Sequence, residues 1–116
     1  MRRGEIYLVN FGKKYNSEFG KVRPALIIQN DVANRNIDKV AFKGVTVMLM
    51  STMLSAGDLR VLIEAREGLE KNSEICLNEL CTLDMSRLYL ENKLTVLTQN
   101  ELLEVERKLK VHLGML

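Results

Sequence analysis

Apolar residues fall along this chain in short runs for most of its length and at helical spacing only at the end. Ile6 to Phe11 is apolar and aromatic, with Gly4 before it and Gly12 after it, and reads as a strand. Gly12 to Gly20 is a polar loop. Pro24 then opens a near-continuous run, Ala25-Leu26-Ile27-Ile28, which suits a strand buried on both faces. Gln29-Asn30-Asp31 ends that run, and Asn34-Arg35-Asn36 continues the loop. Val45 to Met50 is the next strand, stopped by Ser51-Thr52. Ala56-Gly57-Asp58 is a turn, and Arg60 to Ala65 a further strand. Beyond a polar turn over 67–72, short strands are expected at Glu74 to Leu77 and Glu79 to Leu83. Asp84 caps a brief helical turn, and Lys93 to Leu97 is the last strand.

The period changes at Thr98. Glu101 stands three residues later, which is the spacing of a capping box. Leu102, Val105, Leu109 and Leu113 recur on one helical face, and Gly114 is placed to end the helix. Met48, Met50 and Met53 read as core or interface packing. Strands followed by one amphipathic helix give a mainly β class with α: a small twisted β-barrel with a C-terminal helix packed on it.

Composition narrows the function classes more than it selects one. The 116 residues are sized for a single domain, 1–116, with 47% hydrophobic and 28% charged residues. The net charge of +2 gives no global pull on nucleic acid, so any basic surface is local. No apolar run reaches the roughly 18 residues of a membrane span, so no membrane partner is expected. Cys76 and Cys81 have neither a second cysteine pair nor a nearby histidine to complete a zinc site. They read as reduced thiols of a cytoplasmic protein, and neither a metal nor a cofactor is expected. His112, the single histidine, falls near the helix C-terminus, where a positive charge suits the dipole; it reads as structural.

The densest chemical signal is the segment holding Lys13, Lys14, Tyr15, Glu18, Lys21 and Arg23. Lysines beside a tyrosine supply phosphate attraction and a stacking face, the two ingredients of single-stranded nucleic-acid binding. The same residues also suit an ordinary solvated loop. Arg23-Pro24 is more pointed. Proline holds the preceding residue extended, and the buried strand behind fixes the base of an arginine able to grip a phosphate with two hydrogen bonds. Glu18, five residues earlier, is either a catalytic carboxylate or a plain salt-bridge partner.

The segments GEIYLVNFG, NSEFGKVRPALIIQND and GLEKNSEICLNELCTLDMSRL, in this order and with the final helix, resemble successive blocks of the PemK/MazF toxins over nearly the whole chain. The resemblance implies an SH3-like, CcdB-like barrel that forms a homodimer. It implies an endoribonuclease that cuts single-stranded RNA within a short preferred sequence, without a metal, leaving 2′,3′-cyclic phosphate and 5′-hydroxyl ends. A small, partly disordered cognate antitoxin is the implied protein partner. Carried over by position, the catalytic arginine falls on Arg23, the acidic residue on Glu18, and the hydroxyl on Ser51, with Thr52 adjacent. The RNA-binding candidates are Lys13, Lys14, Tyr15 and Lys21, by their residue types, and Glu79, which the resemblance sets near the RNA groove. The chain departs from the pattern at Phe19, at Lys13-Lys14-Tyr15, and at Glu79 and Cys81, where glutamine and a basic residue are frequent. The competing functions are a gyrase inhibitor of the CcdB kind and a non-catalytic RNA-binding module of the same fold.

Overall fold

The computed structural model describes residues 1–12 and 22–115. In chain order these are β1 (Glu5–Asn10), β2 (Val22–Ile27), α1 (Asp31–Arg35), β3 (Gly44–Ser51), β4 (Arg60–Ile63), β5 (Ser73–Asp84), β6 (Leu88–Val96) and α2 (Gln99–His112). Single 3-10 turns at Ile37–Lys39 and Met85–Arg87 complete the set. The strands form one antiparallel sheet in the order β4-β5-β3-β2-β1-β6.

Alternation along the strands sorts the core into two clusters. Ile6, Leu26, Met48, Met50, Ile63, Ile75 and Leu77 make the first, covered by Leu102, Val105 and Leu109 of α2. Tyr7, Val9, Phe11, Ala25, Ile27, Val47 and Leu49 point the other way and make the second, closed at one side by Ile37. A sheet buried on both faces needs the unbroken apolar runs seen in β2 and β3.

The helix is built as its sequence dictates. Thr98 accepts from the Glu101 N–H at 3.1 Å, while the Glu101 carboxylate accepts from the Thr98 N–H at 2.8 Å. Gly114, at φ +70°, turns the chain after Leu113, and the Met115 N–H reaches back to the Lys110 carbonyl. Leu113, at the far end of the apolar stripe, is exposed.

The edges β4 and β6 do not pair, yet the sheet curls far enough to bring its ends together. Arg66 and Leu69 exchange both backbone hydrogen bonds around Glu67-Gly68, making a tight turn between β4 and β5. That turn lies on β6. A Cβ added to Gly68 would stand 1.7 Å from the Leu94 carbonyl oxygen. Arg66 also makes a two-pronged salt bridge to Glu101, tying the turn to the first turn of α2. The expected barrel is thus an open sheet joined by a side contact instead of a closed ladder.

Four elements differ from the sequence expectation; β6, expected from Lys93 to Leu97, already starts at Leu88. Asn34-Arg35 lies in α1 instead of a loop, because Asn30 caps it, accepting from the Ala33 N–H at 2.8 Å. The two strands expected over 74–83 are one, β5, interrupted by a bulge. Leu80 pairs with Met48 and Ile75 with Met50, so four residues of β5 stand against Leu49 alone. β2 starts at Val22, two residues before the proline.

Candidate active site

β2 pairs with β1 from Val22 onward and with β3 from Ala25 onward. Pro24 sits opposite Leu8, before the β2–β3 ladder begins, near the start of the strand where a missing N–H is tolerated. Arg23 sits opposite Val9, and paired residues project to the same side. Arg23 therefore leaves the sheet on the face of the second cluster, half-buried, from a backbone held rigidly by β1 and the proline.

The two hydroxyls after Met50 separate. The β2–β3 register sets Ala25 opposite Leu49; carried two pairs further, it puts Ser51 level with Arg23 on the same side of the sheet. Ser51 is buried, and its Oγ accepts from the Met53 N–H at 3.0 Å. Its O–H remains available to donate. Thr52 is exposed and opens on the opposite side, into a groove of about 440 Å³ at the mouth of the curled sheet. Leu8, Pro24 and Leu94 form the apolar wall of that groove, and Gly68 to Lys71 with Ser73 form the other.

Sequence reasoning missed what holds Ser51 and Thr52 in place. Glu74, buried and opposite Ser51 on β5, accepts from the Ser55 and Ala56 N–H groups at 2.9 and 3.0 Å and from Arg60 Nη1 at 3.3 Å. It anchors the loop over 52–59 from below. A lone carboxylate inside the apolar run Ser-Glu-Ile-Cys-Leu was the available signal, because a charge placed there needs partners.

Glu79 is half-buried in β5, and its charge adds to burial in pushing the nearby Cys81 thiol up. A raised thiol is a poor nucleophile, so Cys81 acts here as a packing residue against the second cluster. Lys13, Lys14, Tyr15, Glu18 and Lys21 lie outside the described residues. The Tyr7 phenol is pushed up to about 12 by burial and by its hydrogen bond to Glu5. Burial raises the Glu5 carboxyl, but donors from Tyr7, the Arg2 N–H and Lys93 outweigh it and hold Glu5 below its usual range. That cluster sits at the start of β1, away from the Arg23 end of the strand, and serves the fold.

Residues 2–113 match the PemK-like, MazF-like toxins of type II toxin-antitoxin systems. The chain belongs to the PemK/MazF toxin family. Among its relatives, the endoribonuclease MazF of Staphylococcus epidermidis is 35% identical over 116 residues, covering 99% of this chain and 92% of that protein. The fold agrees with solved PemK/MazF structures. A mycobacterial endoribonuclease in complex with its cognate antitoxin superposes with a TM-score of 0.77 at 20% identity, over 100% of this chain and 97% of that one. A MazE-MazF complex from Deinococcus radiodurans gives 0.76 at 22% identity, with the same coverage. The order of strands and the C-terminal helix are thus those of the PemK/MazF fold.

Proposed function

We propose that this toxin is a cytoplasmic, metal-independent endoribonuclease that cuts single-stranded RNA within a short preferred sequence. The observation that carries the reading is Arg23. It is fixed between the β1 pairing and Pro24, level with a strand-end hydroxyl, in a chain 35% identical to an endoribonuclease.

In the proposed reaction, Glu18 accepts the proton of the 2′-hydroxyl beside the scissile phosphate. The 2′-oxygen forms a bond to phosphorus, and the bond from phosphorus to the 5′-oxygen breaks. The departing oxygen takes a proton from water, leaving a 2′,3′-cyclic phosphate and a 5′-hydroxyl. Arg23 grips the phosphate and offsets the charge that grows on its oxygens; guanidinium holds its own proton too tightly to give it up. Ser51, on Arg23's side of the sheet, donates its O–H to a phosphoryl oxygen. Lys13, Lys14, Tyr15, Lys21 and Glu79 contact the flanking RNA. A small acidic antitoxin lying across this surface blocks it, and the toxin acts as a homodimer.

The test is cleavage of a long single-stranded RNA in EDTA by wild type and by Arg23→Ala. Cutting with cyclic-phosphate ends, reduced by at least about 10²-fold in the variant, is expected. Intact RNA with wild type, or equal cutting by both proteins, overturns the assignment.

A further inference from the structure

Glu5 and Glu74 are the two carboxylates buried among the described residues. Glu5 is taken up by the start of β1, but Glu74 stands opposite Ser51 across the β3–β5 ladder. Paired residues project to the same side, so the Glu74 carboxylate shares the face of Ser51 and Arg23.

Three donors to Glu74 all come from the chain that follows Ser51. Oε1 accepts from the Ser55 N–H at 2.9 Å and from Arg60 Nη1 at 3.3 Å, and Oε2 accepts from the Ala56 N–H at 3.0 Å. Arg60 Nη1 also reaches the Met53 carbonyl at 3.5 Å, while the Met53 N–H donates to Ser51 Oγ at 3.0 Å. Met53 is thus set between the Arg60–Glu74 pair and the Ser51 hydroxyl. A loop that only joined β3 to β4 would not need this. Residues 52–59 are all exposed, and exposed N–H groups are satisfied by water. A buried charge is costly unless it is paired, and Ala56 is also held at φ +57°, a conformation L side chains rarely adopt. Both features fix the loop in one shape.

That shape bears on the hydroxyl. A serine O–H turns about its Cβ–Oγ bond, and its oxygen has two lone pairs to offer. The Met53 N–H occupies one of them, which leaves the proton to point away from the loop as a donor.

We propose that Glu74 is a positioning residue for RNA cleavage. Through the loop over 52–59 it holds the Met53 N–H on Ser51 Oγ, and so keeps the Ser51 hydroxyl turned to donate to the phosphate. The inference rests on the RNA-cutting reading and deepens it. Glu74 itself touches neither the substrate nor a reacting atom.

A double-mutant cycle on the full chain tests this, with kcat and KM measured on a single-stranded RNA that wild type cuts. Glu74→Gln keeps the side chain's volume but turns one acceptor oxygen into an NH2 group, which has no lone pair for a facing N–H. It is expected to lower kcat about 10-fold while KM stays within about twofold. In a Ser51→Ala background no hydroxyl is left to orient, and the same change is expected to lower kcat by less than about twofold. A carboxylate that only stabilised the fold would lower kcat equally in both backgrounds. That additivity overturns the inference, as does a Glu74→Gln protein with the kcat of wild type. Should Glu74→Gln not fold, Arg60→Gln on the edge strand β4 takes its place in the cycle. Its kcat loss, about 3-fold, is again expected to vanish with Ser51→Ala, and a loss that persists there, or no loss at all, overturns the inference. A Ser51→Ala protein that cuts as fast as wild type removes the hydroxyl's role and the inference with it, and leaves the RNA-cutting reading standing. Wild type that leaves RNA intact overturns that reading itself.

Discussion

At the residue scale the sharpest question is which hydroxyl serves Arg23. Ser51 and Thr52 are neighbours in sequence, yet the end of β3 sends them to opposite sides of the sheet. Ser51 is level with Arg23, and Thr52 opens on the groove with Pro24. Ser51→Ala is therefore expected to lower kcat on single-stranded RNA by about 10- to 10²-fold, since it removes a donor to the phosphoryl oxygens. Thr52→Val is expected to leave kcat nearly unchanged. Steady-state kinetics of the two variants checks this; the reverse pattern would assign the hydroxyl to Thr52. The sequence already carried Arg23, because a proline beside an arginine at a strand entry restricts the backbone locally. The resemblance put the hydroxyl on Ser51 with Thr52 beside it, but nothing local separates the two, because strand alternation does so only once the register with β2 is known. Glu74 showed in sequence only as a charge inside an apolar run that needs partners. Which partners it takes, the Ser55 and Ala56 N–H groups and Arg60, is set by the fold, because they lie 14 to 19 residues away along the chain.

At the element scale, helix α2 was legible nearly to the residue, since a capping box and a glycine stop are local signals. α1 was missed because five residues show no apolar period; only the Asn30 cap marks its start. β5 was divided in two because Asn78-Glu79 breaks its apolar pattern, and a bulge tolerates that break where a regular ladder does not. The hairpin between β4 and β5 holds the curled sheet together, and Gly68 is its most constrained position. Its φ of +87° is one that L side chains rarely adopt, and a Cβ there meets backbone, which cannot swing aside as a side chain can. Gly68→Ala is expected to destabilise the fold by at least about 3 kcal/mol, combining backbone strain with the loss of the Leu94 contact. Urea unfolding of the two proteins measures this. An unfolding midpoint equal to wild type would show that the turn does not bear on β6.

At the scale of the whole molecule, α2 covers the first core cluster, but much apolar surface stays uncovered. Phe42 is 67% exposed and Met53 64%, with Val40, Leu54 and Leu62 also open to solvent. Met53 thus departs from Met48 and Met50, which are buried. Scattered single apolar residues are ordinary on a surface, but Met53 and Leu54 are adjacent on the loop that leaves the Ser51 end of β3. A partner seated there would cover apolar side chains next to the proposed site, and a second copy brings the matching surface by symmetry. We therefore expect the purified toxin to sediment at twice its chain mass at micromolar concentration. Met53→Asp with Leu54→Asp is expected to shift it toward the single-chain mass while leaving the fold intact, because both side chains already face solvent. A wild-type protein that sediments as one chain would remove the homodimer. A dimer indifferent to the two aspartates would move the interface to another face.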